Sequence, residues 1–163
     1  MSVVAPVLLD DGHTLDAFDC GVPPLDQWLK RRARSNAASG ATHTYVACEG
    51  NKVVGYYALA AGAVEVTAAP GRFRRNMPDP IPVIVLGRLA VDTSQQGRGL
   101  GRALFRDAAL RVLQAASIIG VRGVLVDAIS DDARAFYLAL GMTVSPLDRM
   151  TLMVTLADLR ASL

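Results

Sequence analysis

The segment Gln96-Gly97-Arg98-Gly99-Leu100-Gly101 constrains this chain more than any other. It follows an almost continuously apolar run, Val83 to Val91, which reads as a buried central strand. It opens a stretch from Leu100 to about Ser117 that reads as a helix. A strand, a glycine-rich turn and a helix make an anion site. The glycines let backbone N–H groups approach a phosphate closely, and the helix N-terminus adds a partial positive charge. A phosphate-bearing ligand is therefore expected at this turn.

The flanking chain supplies more of the same architecture. Pro24 to about Ala38 has helical spacing at Leu25, Trp28, Leu29 and Ala33 and stops at Gly40. Thr42–Cys48 and Lys52–Ala61 read as a hairpin around Glu49-Gly50-Asn51. Ala68–Pro82 carries Pro70, Gly71, Pro78 and Pro80 with three arginines and reads as an exposed loop. Gly87 marks a bulge or a close backbone approach within the apolar run. Gly123–Ala128 reads as a second buried strand, Asp131–Leu140 as a short helix capped by Asp131 or Ser130, and Met150–Leu156 as a last strand. Helix, hairpin, strand, helix, strand, helix, strand is a mixed α/β sheet flanked by helices, and 163 residues fit one domain over 1–163.

Composition excludes several classes. Apolar residues make up 52%, too many for a disordered chain. No apolar run reaches the ~18 residues that span a bilayer, and the N-terminus lacks a secretory pattern, so no membrane association and a cytoplasmic location are expected. Cys20 and Cys48 form no CxxC pair, and His13 and His43 complete no metal spacing, so no metal is expected. A Cys20–Cys48 disulfide stays open, with nothing in its favour. The net charge is only +2, but it is unevenly spread. Asp10, Asp11, Asp16, Asp19 and Asp26 precede Lys30, Arg31, Arg32 and Arg34; further clusters are Arg72, Arg74 and Arg75, and Arg98, Arg102 and Arg106. Each cluster alone reads as a solvated face; together they fit a polyanionic partner.

Among phosphate loops, the nucleotide-hydrolysing type needs a Lys and a Ser or Thr that do not follow Gly101. The dinucleotide fingerprint needs GxGxxG, and Gly97-x-Gly99-x-Gly101 is one residue short of it. The pattern Gln96-x-x-Gly99-x-Gly101 instead resembles the acyl-CoA motif of the GNAT N-acetyltransferase superfamily. Leu89-Ala90-Val91-Asp92 resembles that family's fourth strand. Ala133-Arg134-Ala135-Phe136-Tyr137-Leu138-Ala139-Leu140-Gly141 resembles its downstream A-x-x-F-Y-x-x-x-G-F segment, departing at Met142, where packing should absorb the change. Phe18–Leu29, Gly55–Leu59, Leu86–Asp92 and Met150–Val154 narrow the resemblance to TacT-like acetyltransferase toxins of type II toxin–antitoxin modules.

That resemblance implies a fold, a cofactor and an acceptor. The fold is a single-domain GNAT sheet with the acyl-CoA site at splayed central strands. Acetyl-CoA would lie with its diphosphate at Gln96, Gly97, Arg98, Gly99, Leu100, Gly101 and Arg102, and its pantetheine amides on the backbone of Leu89, Ala90 and Val91. Tyr137 would protonate the departing thiolate, with Phe136 and the side chains of Leu89 and Val91 in the core. The acceptor would be the α-amino group of an aminoacyl-tRNA, held by Lys30, Arg31, Arg34, Arg72, Arg74, Arg75 and Arg88. A ribbon-helix-helix antitoxin and a homodimer are further implications.

No general base stands out; Asp127 and Glu65 are candidates, each with a structural role to fall back on. An α-amino group titrates at about 7.7–8.0, against about 10.4 for lysine, so an α-amine acceptor needs least help from a base. Transfer to a protein N-terminus or a small amine, and a CoA- or antitoxin-binding protein without chemistry, are the competing readings.

Overall fold

The computed structural model describes residues 2–163. Seven strands form one mixed sheet in the order β1-β2-β3-β4-β5-β7-β6. They are β1 (Val4–Leu8), β2 (His43–Glu49), β3 (Lys52–Val64), β4 (Ile81–Val91), β5 (Gly123–Asp127), β6 (Thr143–Val144) and β7 (Thr151–Thr155). The helices are α1 (Pro23–Arg31), α2 (Ala33–Ser39), α3 (Gly71–Arg74), α4 (Leu100–Ala116), α5 (Asp131–Ala139) and α6 (Leu156–Ala161). The chain forms two compact units: residues up to Ala60 with Gly87–Ala108, and Ala61–Leu86 with Ala109–Leu163.

In the first unit, β1 pairs antiparallel with β2, and β2 with β3 through Tyr45–Tyr57 and Val46–Tyr56. The core gathers Phe18, Leu25, Trp28, Leu29, Ala33, Val46, Val53, Tyr56 and Ala90. The helix expected over Pro24–Ala38 is two helices. Arg32 leaves helical geometry at φ −121°, yet its N–H still bonds Trp28 O at 2.8 Å and its carbonyl accepts from Asn36 at 2.9 Å. The break keeps Leu25, Trp28, Leu29 and Ala33 all buried. Gly40 ends α2 in the left-handed region at φ 82°.

Close backbone approach falls at Gly55 rather than at Gly87. A Cβ on Gly55 would stand 3.1 Å from Leu104 and 3.2 Å from Leu100, so glycine lets α4 press onto β3. No atom lies within 4 Å of the corresponding point on Gly87. Tyr57, on β3, also donates its hydroxyl to Asp107 on α4.

In the second unit, β4 and β5 pair in parallel through Ile84–Val124 and Val85–Leu125, and β5 pairs antiparallel with β7 from Gly123–Thr155 to Asp127–Thr151. Ala69, Phe73, Ile81, Val83, Leu125 and Met153 form its core. The expected exposed loop over 68–82 holds α3, whose Phe73 is buried. Leu156 starts a helix instead of ending a strand, because Thr155 caps it by accepting the Asp158 N–H at 3.1 Å. Of the two caps considered for α5, Ser130 is the one used, accepting from Ala133 N–H at 3.1 Å. Strands β1 and β6 were not anticipated: β1 is largely exposed and interrupted by Pro6, and β6 has two residues, so neither carries a buried apolar pattern.

Gly123 is the tightest point of the β5–β7 pairing, where a Cβ would fall 1.9 Å from Val154 O. Gly123→Ala should therefore push two central strands apart and cost roughly 2–4 kcal/mol, read as a lowered urea midpoint.

Candidate functional site

The glycine turn stands on a stitched base. At the end of β4, the buried Asp92 carboxylate accepts Asp19 N–H at 2.8 Å, Ser94 N–H at 3.1 Å and Ser94 hydroxyl at 2.6 Å. Asp92 N–H donates to Val54 O at 2.8 Å, and Thr93 N–H to Asp19 O at 2.8 Å. Gln95 donates to Glu49 at 3.0 Å, which ties the same linker to the end of β2. Burial by itself opposes ionisation of Asp92. The hydrogen bonds from Ser94 and Asp19, with the Lys52 charge, outweigh it and hold the carboxyl below its usual range.

From this base the chain turns through Gly97 at φ 78° and Gly99 at φ 82°, a region that side chains with a Cβ rarely enter. The first bond into α4 runs from Ala103 N–H to Gly99 O at 3.1 Å. The N–H groups of Leu100, Gly101 and Arg102 therefore lack acceptors among the described backbone, as at any helix start. Arg98 and Arg102 are exposed beside them. Left-handed glycines, unpaired N–H groups and two free cations fit a diphosphate.

The Gln96 side-chain amide donates to Cys20 O at 2.9 Å and to Val91 O at 2.9 Å, so it braces the turn against the segment before α1. Leu89 and Val91 are only half-buried; it is Ala90 that enters the core. Cys20 and Cys48 are both free thiols, and burial, aided by Asp26, pushes Cys20 up to about 11. A nucleophilic role for it is thereby disfavoured.

Tyr137 lies in α5 and is 7% exposed, whereas Phe136, expected in the core, is half-buried and meets it edge-on at 5.2 Å. Burial raises the Tyr137 hydroxyl well above its ordinary value, so it stays protonated across the physiological range. Met142 is buried, as its place in a packing position requires. Of the two carboxylates considered as a base, Asp127 is exposed and accepts Thr151 hydroxyl at 2.6 Å, and Glu65 is exposed.

The basic residues considered for RNA sort into three kinds. Arg34 is spent on Asp10 O at 3.1 Å and His13 O at 2.7 Å. Arg72 is spent on Asp158, forked at 2.7 and 2.8 Å. Both thus have partners within the fold, at exposed positions. Lys30, Arg31, Arg74 and Arg75 are exposed. Arg88 is half-buried over the face of Trp28. The described residues include no cluster of three or more metal-binding side chains and no helix long and apolar enough to cross a membrane.

Sequence reasoning passed over Asp92, Gln95 and Trp28 as working residues. Asp92-Thr93-Ser94 carries a legible signal, an acidic residue two positions before a serine at a turn. The long-range partners Asp19 and Glu49 carry none.

Comparison with known proteins bears on what this arrangement does. Residues 40–143 match the family described as acetyltransferase (GNAT) domain. The chain is 50% identical over 157 residues to a tRNA-acetylating toxin of Mycobacterium tuberculosis, covering 96% of this chain and 95% of that one. A solved structure of AtaT complexed with acetyl-methionyl-tRNAfMet superposes with a TM-score of 0.90 at 27% identity, covering 98% of both chains. A tyrosine-to-phenylalanine mutant of AtaT bound to the C-terminus of the antitoxin AtaR and acetyl-CoA gives 0.84 at 26% identity, covering 99% and 97%.

The depressed Asp92 carboxyl makes a prediction about acid. Its ionised form is favoured in the fold, so its contribution is complete above the ordinary carboxyl range near ~3.9 and is lost as pH falls through the lower folded value. Denaturation midpoints should drop on acidification below about pH 4. Asp92→Asn should flatten that drop and cost about 1–3 kcal/mol at neutral pH.

Proposed function

The chain belongs to the acetyltransferase (GNAT) family, and on that premise we propose that it is an acetyl-CoA-dependent toxin that acetylates the α-amino group of aminoacyl-tRNA and so blocks translation. The observation that carries this reading is the 50% identity to a tRNA-acetylating toxin across nearly the whole of both chains. The glycine turn supports it independently, as a diphosphate cradle that matches neither of the common nucleotide loops.

Acetyl-CoA supplies an acetyl thioester. The N–H groups of Arg98, Gly99, Leu100 and Gly101 bind its diphosphate, with charge from Arg98 and Arg102, while Gln96 and Gly97 shape the turn. The backbone of Leu89, Ala90 and Val91 hydrogen-bonds the pantetheine amides. Tyr137 gives its phenolic proton to the thiolate that leaves as the amine takes the acetyl group. The α-amine, of which a good fraction is already neutral at about 7.7–8.0, sheds a proton to solvent as it takes the acetyl group, and solvent returns a proton to the Tyr137 phenolate. Lys30, Arg31, Arg74 and Arg75 hold the RNA backbone through phosphate contacts, which orient without reading sequence. The protein partner in this reading is a ribbon-helix-helix antitoxin, the toxin is a homodimer, and all of it operates as one domain in the cytoplasm.

The test is acetyl transfer from acetyl-CoA to charged tRNA. Tyr137→Phe should lower kcat about 10²–10⁴-fold with little change in KM for acetyl-CoA, and should abolish growth arrest on induction. With the wild type, loss of the Tyr137 proton should not depress the rate at alkaline pH up to its ordinary value of 10. Transfer should weaken steeply with salt, and reversing the charges of Arg74 and Arg75 should raise KM for tRNA. Flat salt dependence, or transfer to free amines and peptides with charged tRNA inert, would overturn the tRNA assignment.

A further inference from the structure

Arg88 is held by an aromatic face. Its guanidinium carbon lies 4.3 Å from the centroid of the Trp28 ring. Trp28 stacks on Tyr56, centroids 6.0 Å apart and planes 11° from parallel. Tyr56 is fixed in turn by Phe18, edge-on at 5.5 Å, and by its hydroxyl, which donates to Leu25 O at 2.7 Å. The cation thus rests on an indole that is itself packed against Tyr56. Stacking uses one face of the guanidinium and leaves its in-plane N–H donors unspent.

Among the described residues, no carboxylate or carbonyl accepts from those donors. Other half-buried arginines have acceptors: Arg122 donates to the carbonyls of Phe73 and Arg72, and Arg134 to that of Arg149. Burial pulls Arg88 below its ordinary value, with the nearby Tyr56 acting the other way. A partly desolvated cation without a counter-charge is unfavourable until an anion meets it.

Position along β4 narrows the anion. Arg88 directly precedes Leu89–Val91, the stretch assigned to the uncharged pantetheine arm. The charged end of the coenzyme is assigned beyond Asp92, at Arg98–Gly101. An anion at Arg88 therefore belongs to whatever arrives at the reacting end of that strand. Arg31 follows Trp28 by three positions on α1, the spacing of helix neighbours, and adds positive charge suited to a polyanion.

We propose that Arg88, positioned by Trp28, grips a phosphodiester of the single-stranded 3′ end of the RNA acceptor and so sets where the aminoacyl group lies along β4. This inference rests on the aminoacyl-tRNA reading. A guanidinium fork suits a phosphodiester, and the aromatic backing limits the side-chain freedom lost on binding.

Steady-state kinetics on charged tRNA, with Arg88→Gln and Arg88→Lys, tests it. Arg88→Gln should raise KM for charged tRNA about 10- to 100-fold, leave KM for acetyl-CoA within about twofold, and flatten the slope of log(kcat/KM) against log[salt] by about one. Arg88→Lys should restore the salt slope but only part of KM, because an ammonium lacks the fork. It also keeps the test informative if the neutral variant folds poorly. An unchanged KM for charged tRNA overturns the proposal, and so does a rise confined to acetyl-CoA. A wild-type protein that does not acetylate charged tRNA at any salt marks the failure of the underlying reading instead.

Discussion

The glycine turn depends on one buried carboxylate. Asp92 accepts three hydrogen bonds where β4 ends, and two of them come from the residue two positions on. That makes the linker a rigid corner. The third reaches back to Asp19, seventy-three positions earlier, and joins the segment before α1 to the corner. Gln96 repeats the link by bracing Cys20 and Val91. Without this base, Gly97 and Gly99 would be free to sample many conformations, and the N–H groups they precede would not converge. The charge on Asp92 never needs to touch a ligand to matter for one.

The arginines show how tertiary structure divides a basic composition. Arginine supplies most of the positive charge, yet Arg34 and Arg72 bond to partners within the fold and Arg74 and Arg75 stand in solvent. Arg88 lies between these extremes, desolvated but unneutralised. A phosphate contact made by an exposed side chain must first order that side chain; Arg88 is already ordered by an indole.

Much of the architecture was legible because it follows from local rules. The hairpin around Gly50, the glycine stop at Gly40, the serine cap of α5 and the apolar strands β4 and β5 all announce themselves through periodicity and turn chemistry. The failures have a common cause. Strand β1 is exposed, β6 has two residues, and the break at Arg32 leaves the apolar spacing intact. None of these leaves a burial signal in sequence. Likewise Gly87 and Gly55 look alike as letters. Only the packing of Leu100 and Leu104 makes Gly55 the one that matters.

By itself the sequence determined the α/β class and the place of the glycine turn, while the resemblance of Ala133–Gly141 to a family segment singled out Tyr137 as the acid to test. The turn is written in contiguous residues, as glycine spacing after a strand; the choice of Tyr137 over its neighbour Phe136 came from that resemblance and not from periodicity. Only the tertiary structure decided that the Gln96 amide braces the turn, that Phe136 is less buried than Tyr137, and which arginines are paired within the fold. Those outcomes depend on partners tens of residues away, such as Cys20 for Gln96 and Asp158 for Arg72. A hydrogen bond or an aromatic stack is a relation between two positions, and one position's identity does not carry it.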